Sequence, residues 1–192
     1  MASGYDDEIW ELVPDPGPRP AAHIERFVAG LAPAGSTLDL GCGDGRLSAS
    51  LRAEDLCLAD VSEVALGRAA SRLPTAGTVL LEPDAPLPLS DNAFELVLCA
   101  ETLEHVRDVQ LLLSEARRVL VPGGLLAVTT PAHGRGTGLD VLLRGFERRF
   151  DPLSPHLRFF TSRSLEALLD ALGFRVRRNQ REEGTLLALA TR

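Results

Sequence analysis

The stretch Thr37-Leu38-Asp39-Leu40-Gly41-Cys42-Gly43-Asp44-Gly45-Arg46 constrains this chain more than any other. An apolar run ends in three glycines at alternate positions, which predicts a buried strand running into a tight turn that opens a helix. Glycine takes positive φ and lets a ligand approach the main chain, so the turn points to a nucleoside-type site at the strand's carboxyl end. The spacing departs from the dinucleotide fingerprint: Arg46 stands where its third glycine would, and Asp44 puts a carboxylate where a pyrophosphate would lie. That disfavours a nicotinamide-dependent oxidoreductase. A nucleoside whose far end carries an ammonium and a sulfonium suits these charges better. Asp60 ends the next apolar run, Leu56-Cys57-Leu58-Ala59, where a carboxylate can accept from both ribose hydroxyls.

Apolar runs alternate with helical patterns along the rest of the chain, the signature of a mainly parallel sheet. The pattern predicts strands at 36–40, 55–60, 78–82, 94–100 and 124–130. A closing hairpin, 174–180 and 184–190, turns at Glu182-Glu183-Gly184 and places one antiparallel strand in the sheet. Helices are expected at 20–31, 45–53, 62–73, 108–120 and 162–172, with Ser62 and Thr161 or Ser162 as N-caps and Gly173 past the last C-terminus. The fold class is therefore α/β, a doubly wound sheet of seven strands with helices on both faces. The proline-rich segment Val13 to Pro20 cannot be helical and reads as a stiff extended linker. It would let Tyr5 to Trp10 fold over the ligand. Trp10, the only tryptophan, is either a surface anchor or a lid whose aromatic face suits a sulfonium.

At 192 residues with 45% hydrophobic content, the chain fits one domain, with 1–20 as N-terminal lid and linker and 132–160 as a cap inserted over the substrate. No run approaches the roughly 20 apolar residues of a membrane span. Tyr5-Asp6-Asp7-Glu8 is acidic where a signal segment would be apolar, and Cys42, Cys57 and Cys99 show no paired spacing, so a reducing cytoplasm is the expected home. The net charge of −7 argues against nucleic acid as a partner. All basic residues are Arg, and the concentration at Arg135, Arg144, Arg148 and Arg149 reads as a solvated face.

From about Ala21 onward the chain resembles the class I S-adenosylmethionine-dependent methyltransferases, especially the small type 11 members, which have a Rossmann-like fold. Leu38 to Gly45 matches the family's first motif. Asp84-Ala85, followed by Leu87 to Glu95, matches the stretch whose acidic residue accepts from the adenine amino group, and Leu120 to Leu126 matches the loop before the fifth strand. The resemblance implies S-adenosylmethionine as cofactor, S-adenosylhomocysteine as product, and a methyl group passed to O or N of a small-molecule acceptor. It implies cofactor contacts from Asp39, Gly41, Cys42, Gly43, Gly45, Asp60, Val61, Asp84, Ala85, Ala100 and Glu101. A non-catalytic homologue that keeps only the cofactor pocket is the alternative from another class.

Ala100-Glu101-Thr102-Leu103-Glu104-His105 ends the fourth strand, and open α/β sheets bind ligands beyond such ends. His105 has the intrinsic pKa of a general base, and Glu104 can orient it or serve instead. Glu101, Glu104 and His105 also resemble the Glu-x-x-Glu-His metal pattern of the ubiquinone-pathway O-methyltransferases and of the small-RNA 2′-O-methyltransferases, in which a later His, here His156, joins them. Two carboxylates and two imidazoles could hold a divalent ion. The metal-free base is the reading adopted. Specificity is expected from the insertion, where Phe146, Phe150, Phe159 and Phe160 suit a small or medium organic molecule; His133, after the fifth strand, either lines the acceptor pocket or, the reading adopted, makes a structural hydrogen bond.

Overall fold

Residues 94–100 are apolar at every position but Glu95 and are otherwise buried, which only the centre of a sheet covered on both faces allows. The computed structural model describes residues 3–146, 150 and 154–192; the arginines at 148 and 149, like the Asp151-Pro152 pair, lie outside the described residues. In chain order the elements are α1 (Ser3–Leu12), α2 (Ala22–Ala29), β1 (Ala34–Leu40), β2 (Ala53–Asp60), α3 (Glu63–Arg72), β3 (Gly77–Leu80), β4 (Phe94–Ala100), α4 (Val109–Val119), β5 (Leu120–Pro131), α5 (Arg135–Arg144), α6 (Ser162–Ala171), β6 (Arg175–Glu182) and β7 (Thr185–Thr191).

The seven strands form one sheet in the order β3-β2-β1-β4-β5-β7-β6. Only β7 runs antiparallel, against β5 on one side and β6 on the other. The expected fold class and hairpin are what the structure shows. Strand alternation sorts the core: Leu96, Leu98 and Ala100 face Ile24, Phe27 and Val28 of α2, while Val97 and Cys99 face Leu113 and Ala116 of α4 and Leu165 and Leu169 of α6. β1 pairs with β2 on one side and β4 on the other, so the strand order reverses beside it. The crevice at that switch point lies at the end of the glycine-bearing strand.

Helix ends follow the side chains that cap them. Ser62 Oγ accepts from Ala65 N–H, and Asp108 Oδ1 accepts from Leu111 N–H. Thr161 and Ser164 form a reciprocal box, each hydroxyl accepting from the other's N–H. At the far end of α6 Gly173 sits at φ 80°, with its N–H on the Asp170 carbonyl and Phe174 N–H on the Leu169 carbonyl, a Schellman ending.

Four expectations change. The helix expected at 45–53 is only a 3-10 turn, Ser48–Ser50, because Gly45 at φ 75° holds the chain out of a helix and β2 already begins at Ala53. The N-terminal segment is itself helical, and a helix, α5, lies inside the 132–160 insertion. Phe160 is a core residue bridged to Ala132 rather than part of a cap. Among the described residues no helix is long and apolar enough to cross a membrane.

Thr161→Ala removes one half of the α6 box and should lower stability by about 1 kcal/mol in denaturant unfolding, with Thr161→Ser close to wild type.

Candidate functional site

The turn after β1 is held by carboxylates from two strands. Asp60, at the end of β2, accepts from Gly43 N–H through Oδ2 at 2.8 Å and from Ser62 N–H through Oδ1 at 2.9 Å. One side chain thus ties the glycine turn to the start of α3. Each oxygen keeps a second lone pair for a ligand hydroxyl. Asp39, inside β1 and almost fully buried, accepts from Ser48 Oγ at 2.5 Å. Burial pushes its carboxyl up to about 7, against the pull of that hydrogen bond, and burial also raises Asp60.

The glycines are demanded by neighbours as well as by φ. A Cβ on Gly41 (φ 80°) would lie 2.4 Å from the Thr102 methyl, and one on Gly43 (φ 53°) would lie 2.8 Å from the Trp10 ring. Cys42 is buried, and its thiol is pushed up by desolvation and the two nearby carboxylates. Asp44, which the sequence reading set against a phosphate, is an internal ion-pair partner: Oδ2 lies 2.6 Å from Arg46 Nε and 3.4 Å from an Arg72 nitrogen. Arg46 also donates to the carbonyls of Gly17 and Pro18, and Arg68 donates to the Val13 carbonyl, so arginines pin the proline-rich segment to the turn.

That segment lays α1 across the switch point. Asp7 Oδ1 accepts from Ser62 Oγ at 2.6 Å and Val64 N–H at 3.2 Å, adding a second carboxylate to the α3 N-terminus. Trp10 stacks against Gly43 with Arg68 6.0 Å over its ring, and Asp6 lies close enough to feel the charges of His105 and Arg107.

Opposite the turn, Ala100 is buried and Glu101 takes φ 52°, a left-handed backbone rare for a side chain of this size. Two threonines at the end of β5 hold the acidic pair: Thr129 Oγ donates to Glu101 at 2.8 Å and Thr130 Oγ to the buried Glu104 at 3.0 Å. Burial raises both carboxyls to about 7, Glu101 also through the charge of Glu104. His105 Nδ1 lies 3.2 Å from the Pro155 carbonyl, which can only accept, so Nδ1 carries the proton and Nε2 keeps a lone pair. Burial holds His105 below the usual imidazole value, and burial and His105 do the same to His156.

The structure therefore gathers Asp39, Gly41, Cys42, Gly43, Gly45, Asp60 and Val61 on one side and Ala100, Glu101, Glu104 and His105 on the other. Asp84 (φ 56°) and the half-buried Ala85 sit in the loop after β3, with Arg107 3.6 Å from the Asp84 carboxylate. Of the four metal candidates three converge: ligand atoms of Glu104, His105 and His156 lie within 4.8 Å of one another. Glu101 is outside that group, its carboxylate turned to Thr129. Asp6, Asp7, Ser48, Thr129 and Thr130 were not anticipated. Only the threonine pair left a signal, two hydroxyls ending an apolar strand.

A family model described as a methyltransferase domain matches residues 16–179. An uncharacterized methyltransferase of Mycobacterium bovis is 34% identical over 113 residues, 56% of this chain and 57% of that protein. A malonyl-[acyl-carrier protein] O-methyltransferase of Methylococcus capsulatus is 35% identical over 161 residues, 78% of this chain and again 57% of that protein. The chain thus spans little more than half the length of these curated relatives. Among solved structures, an S-adenosylmethionine-dependent methyltransferase from Mesorhizobium loti superposes with a TM-score of 0.69 at 21% identity, over 90% of this chain and 98% of the other. The [4+2]-cyclase SpnF also superposes, with a TM-score of 0.71 at 18% identity, over 88% and 80%. Likeness at that level establishes the fold, which hosts more than one chemistry.

Buried carboxyls that bind a proton more tightly folded than unfolded make the native state the more protonated one between their ordinary values and about 7. Stability should therefore fall as pH rises from about 4 to about 7 and level off above. Melting curves across that range check the sign, and Asp39→Asn should flatten the decline.

Proposed function

The chain belongs to the class I S-adenosylmethionine-dependent methyltransferases, and on that premise we propose that it is an enzyme transferring a methyl group to O or N of a small-molecule acceptor. The observation that carries the reading is the Asp60 bridge, which fixes the glycine turn at the switch point where a strand-end ligand site of this fold lies. The donor set suits this cofactor: buried carboxylates accept from hydroxyls and an ammonium, and glycines at 41 and 43 let Thr102 and Trp10 close directly on the turn. Asp60 would hold the ribose, Asp39 and the turn from Gly41 to Gly45 the amino-acid portion, and Val61, Asp84 and Ala85 the adenine. Ala100 and Glu101 would close the side facing the acceptor. When bound, S-adenosylmethionine supplies an electrophilic methyl carbon and gives S-adenosylhomocysteine.

The protein's share is alignment, exclusion of water and removal of one proton. We assign α1 as the cover over the turn, through Asp7 on the α3 N-terminus and Trp10 on Gly43, with 13–20 as its tether. Within the insertion, α5 and the Phe146, Phe150 and Phe159 rings are assigned as the cap over the acceptor. His105 Nε2 takes the proton from the acceptor's O–H or N–H; the imidazole is neutral near pH 7 because burial depresses its pKa. Glu104, 3.9 Å from Nε2, is too far for a hydrogen bond but stabilises the imidazolium once it forms. The convergence of Glu104, His105 and His156 supports a second reading, in which a divalent ion binds and acidifies an acceptor hydroxyl.

Titration calorimetry with S-adenosylmethionine tests the cofactor assignment: Asp60→Ala should weaken binding tenfold to a hundredfold, about 1.5–3 kcal/mol, and Gly43→Val should abolish it in a folded protein. Unchanged affinity in both would overturn the assignment. Because Trp10 is the only tryptophan, binding should also change the intrinsic fluorescence.

With an acceptor in hand, His105→Ala should lower kcat about a hundredfold or more, His156→Ala should be mild, and a chelator should have no effect. Chelator inhibition, with His156→Ala as damaging as His105→Ala, would instead establish the metal route.

A further inference from the structure

Buried apolar faces hold α2, α3, α4 and α6 in place, whereas α5 has no buried residue among those described. Leu139, Leu142 and Leu143 fall at i, i+3 and i+4 on one face of α5, and all three are exposed, Leu142 at 80% and Leu143 at 73%. Three outward leucines on one helix face have no role in the fold, and such a patch marks a binding surface. The opposite side carries the Asp140–Arg144 ion pair at 3.2 Å.

The patch continues inward through rings. Gly145, at φ 91°, turns the chain so that Phe146 follows the leucines, and Phe146 packs on Phe150 with centroids 4.8 Å apart. Phe150 meets Phe159 edge-on at 4.6 Å, and Phe159 meets His133 edge-on at 5.0 Å. Phe146 and Phe159 are themselves exposed. The strand of chain bearing Phe159 is anchored at the reaction end: the N–H groups of Leu157 and Arg158 donate to the Glu104 carbonyl, and Pro155 accepts from His105. His156 stacks edge-on against His105 at 4.8 Å. The short segment from His156 to Phe159 therefore joins the imidazole pair to the ring cluster, and Phe146, three residues after Leu143, joins the cluster to the outward leucines.

We propose that the methyl acceptor carries an extended apolar body, an alkyl chain or a fused ring system, which lies on Phe159 and Phe146 and reaches Leu143 while its hydroxyl or amine sits at His105. The proposal rests on the methyltransferase reading for what happens at the reactive end. Continuity of the patch with the site selects this occupant over a bilayer or a second copy, either of which would need only the outer leucines and not the ring path toward His105.

A series of 4-alkylphenols from ethyl to octyl, titrated into the full chain saturated with S-adenosylhomocysteine, reads the subsite directly. Affinity should rise about two- to fourfold per methylene, since a fully buried methylene is worth roughly fourfold. Leu143→Ser should flatten that slope without changing the melting temperature or S-adenosylhomocysteine affinity, and Phe159→Ala should flatten it with S-adenosylhomocysteine affinity unchanged. A slope of zero in wild type, with the cofactor product still bound, overturns the subsite and leaves the methyltransferase reading intact. Failure to bind S-adenosylhomocysteine, with the slope measured in its absence and intact, overturns that reading and leaves the subsite. Two controls name the rival occupants. Sedimentation with phosphatidylcholine–phosphatidylglycerol vesicles that Leu142→Ser abolishes, or a dimer by light scattering that Leu142→Ser dissociates, would overturn the proposal in favour of a membrane or a second copy.

Discussion

Everything at the switch point depends on a single carboxylate. Asp60 reaches from the end of one strand to the N–H of Gly43 beyond the end of its neighbour, and with its other oxygen takes the N–H at the entrance of α3. Backbone N–H groups at a turn and at a helix start would otherwise need separate partners in a buried crevice. Supplying both from one side chain fixes the relative position of turn and helix. The cost is a buried acid whose charged form is disfavoured by desolvation, and it is met by the same two N–H groups that it organises.

The same logic recurs across the crevice. Glu101 and Glu104 are each held by one threonine of the consecutive pair Thr129-Thr130, so two adjacent residues on β5 position two acids three positions apart on the neighbouring loop. Glu101 accepts a left-handed backbone in the process. Strain of that kind, together with acids raised by burial, is concentrated at ligand sites because the surrounding structure must be rigid enough to impose it. Helix α1 adds the third wall. It is marginal as an isolated helix of ten residues and owes its position to contacts with Ser62, Val64 and Gly43.

How much of this could be read from residue order follows from the range of the interactions. The strand ending at Leu40, the turn glycines, the strand ending at Asp60 and the closing hairpin all rest on periodicity and on local turn chemistry, and all are found. Ser62, Thr161 and Gly173 were legible for the same reason, since a cap and its helix end lie within a few residues. The helix expected at 45–53 failed because Ser48 is committed to Asp39 and β2 arrives too soon, facts of pairing rather than of propensity. Helix α1 was illegible because what holds it lies fifty residues away. Phe160 looked like its neighbour Phe159, and only the bridge to Ala132 sends one inward and leaves the other out. At the site, motif positions were legible and most partners were not: nothing in the sequence connects Thr129 to Glu101, or Thr130 to Glu104, until the sheet brings them together.

The two rims of the sheet differ in build. On one side β3 is four residues long; on the other β6 carries Arg175, Arg177, Arg178 and Arg181 along an outer strand. A short rim offers few free N–H and C=O groups, and a rim crowded with guanidinium groups would set like charges face to face if a second copy tried to extend it. The hydrogen-bonding surface that an open seven-stranded sheet leaves at its ends is thereby protected against runaway strand addition, in a chain whose remaining sticky surface, the outward leucines, is carried by a helix instead.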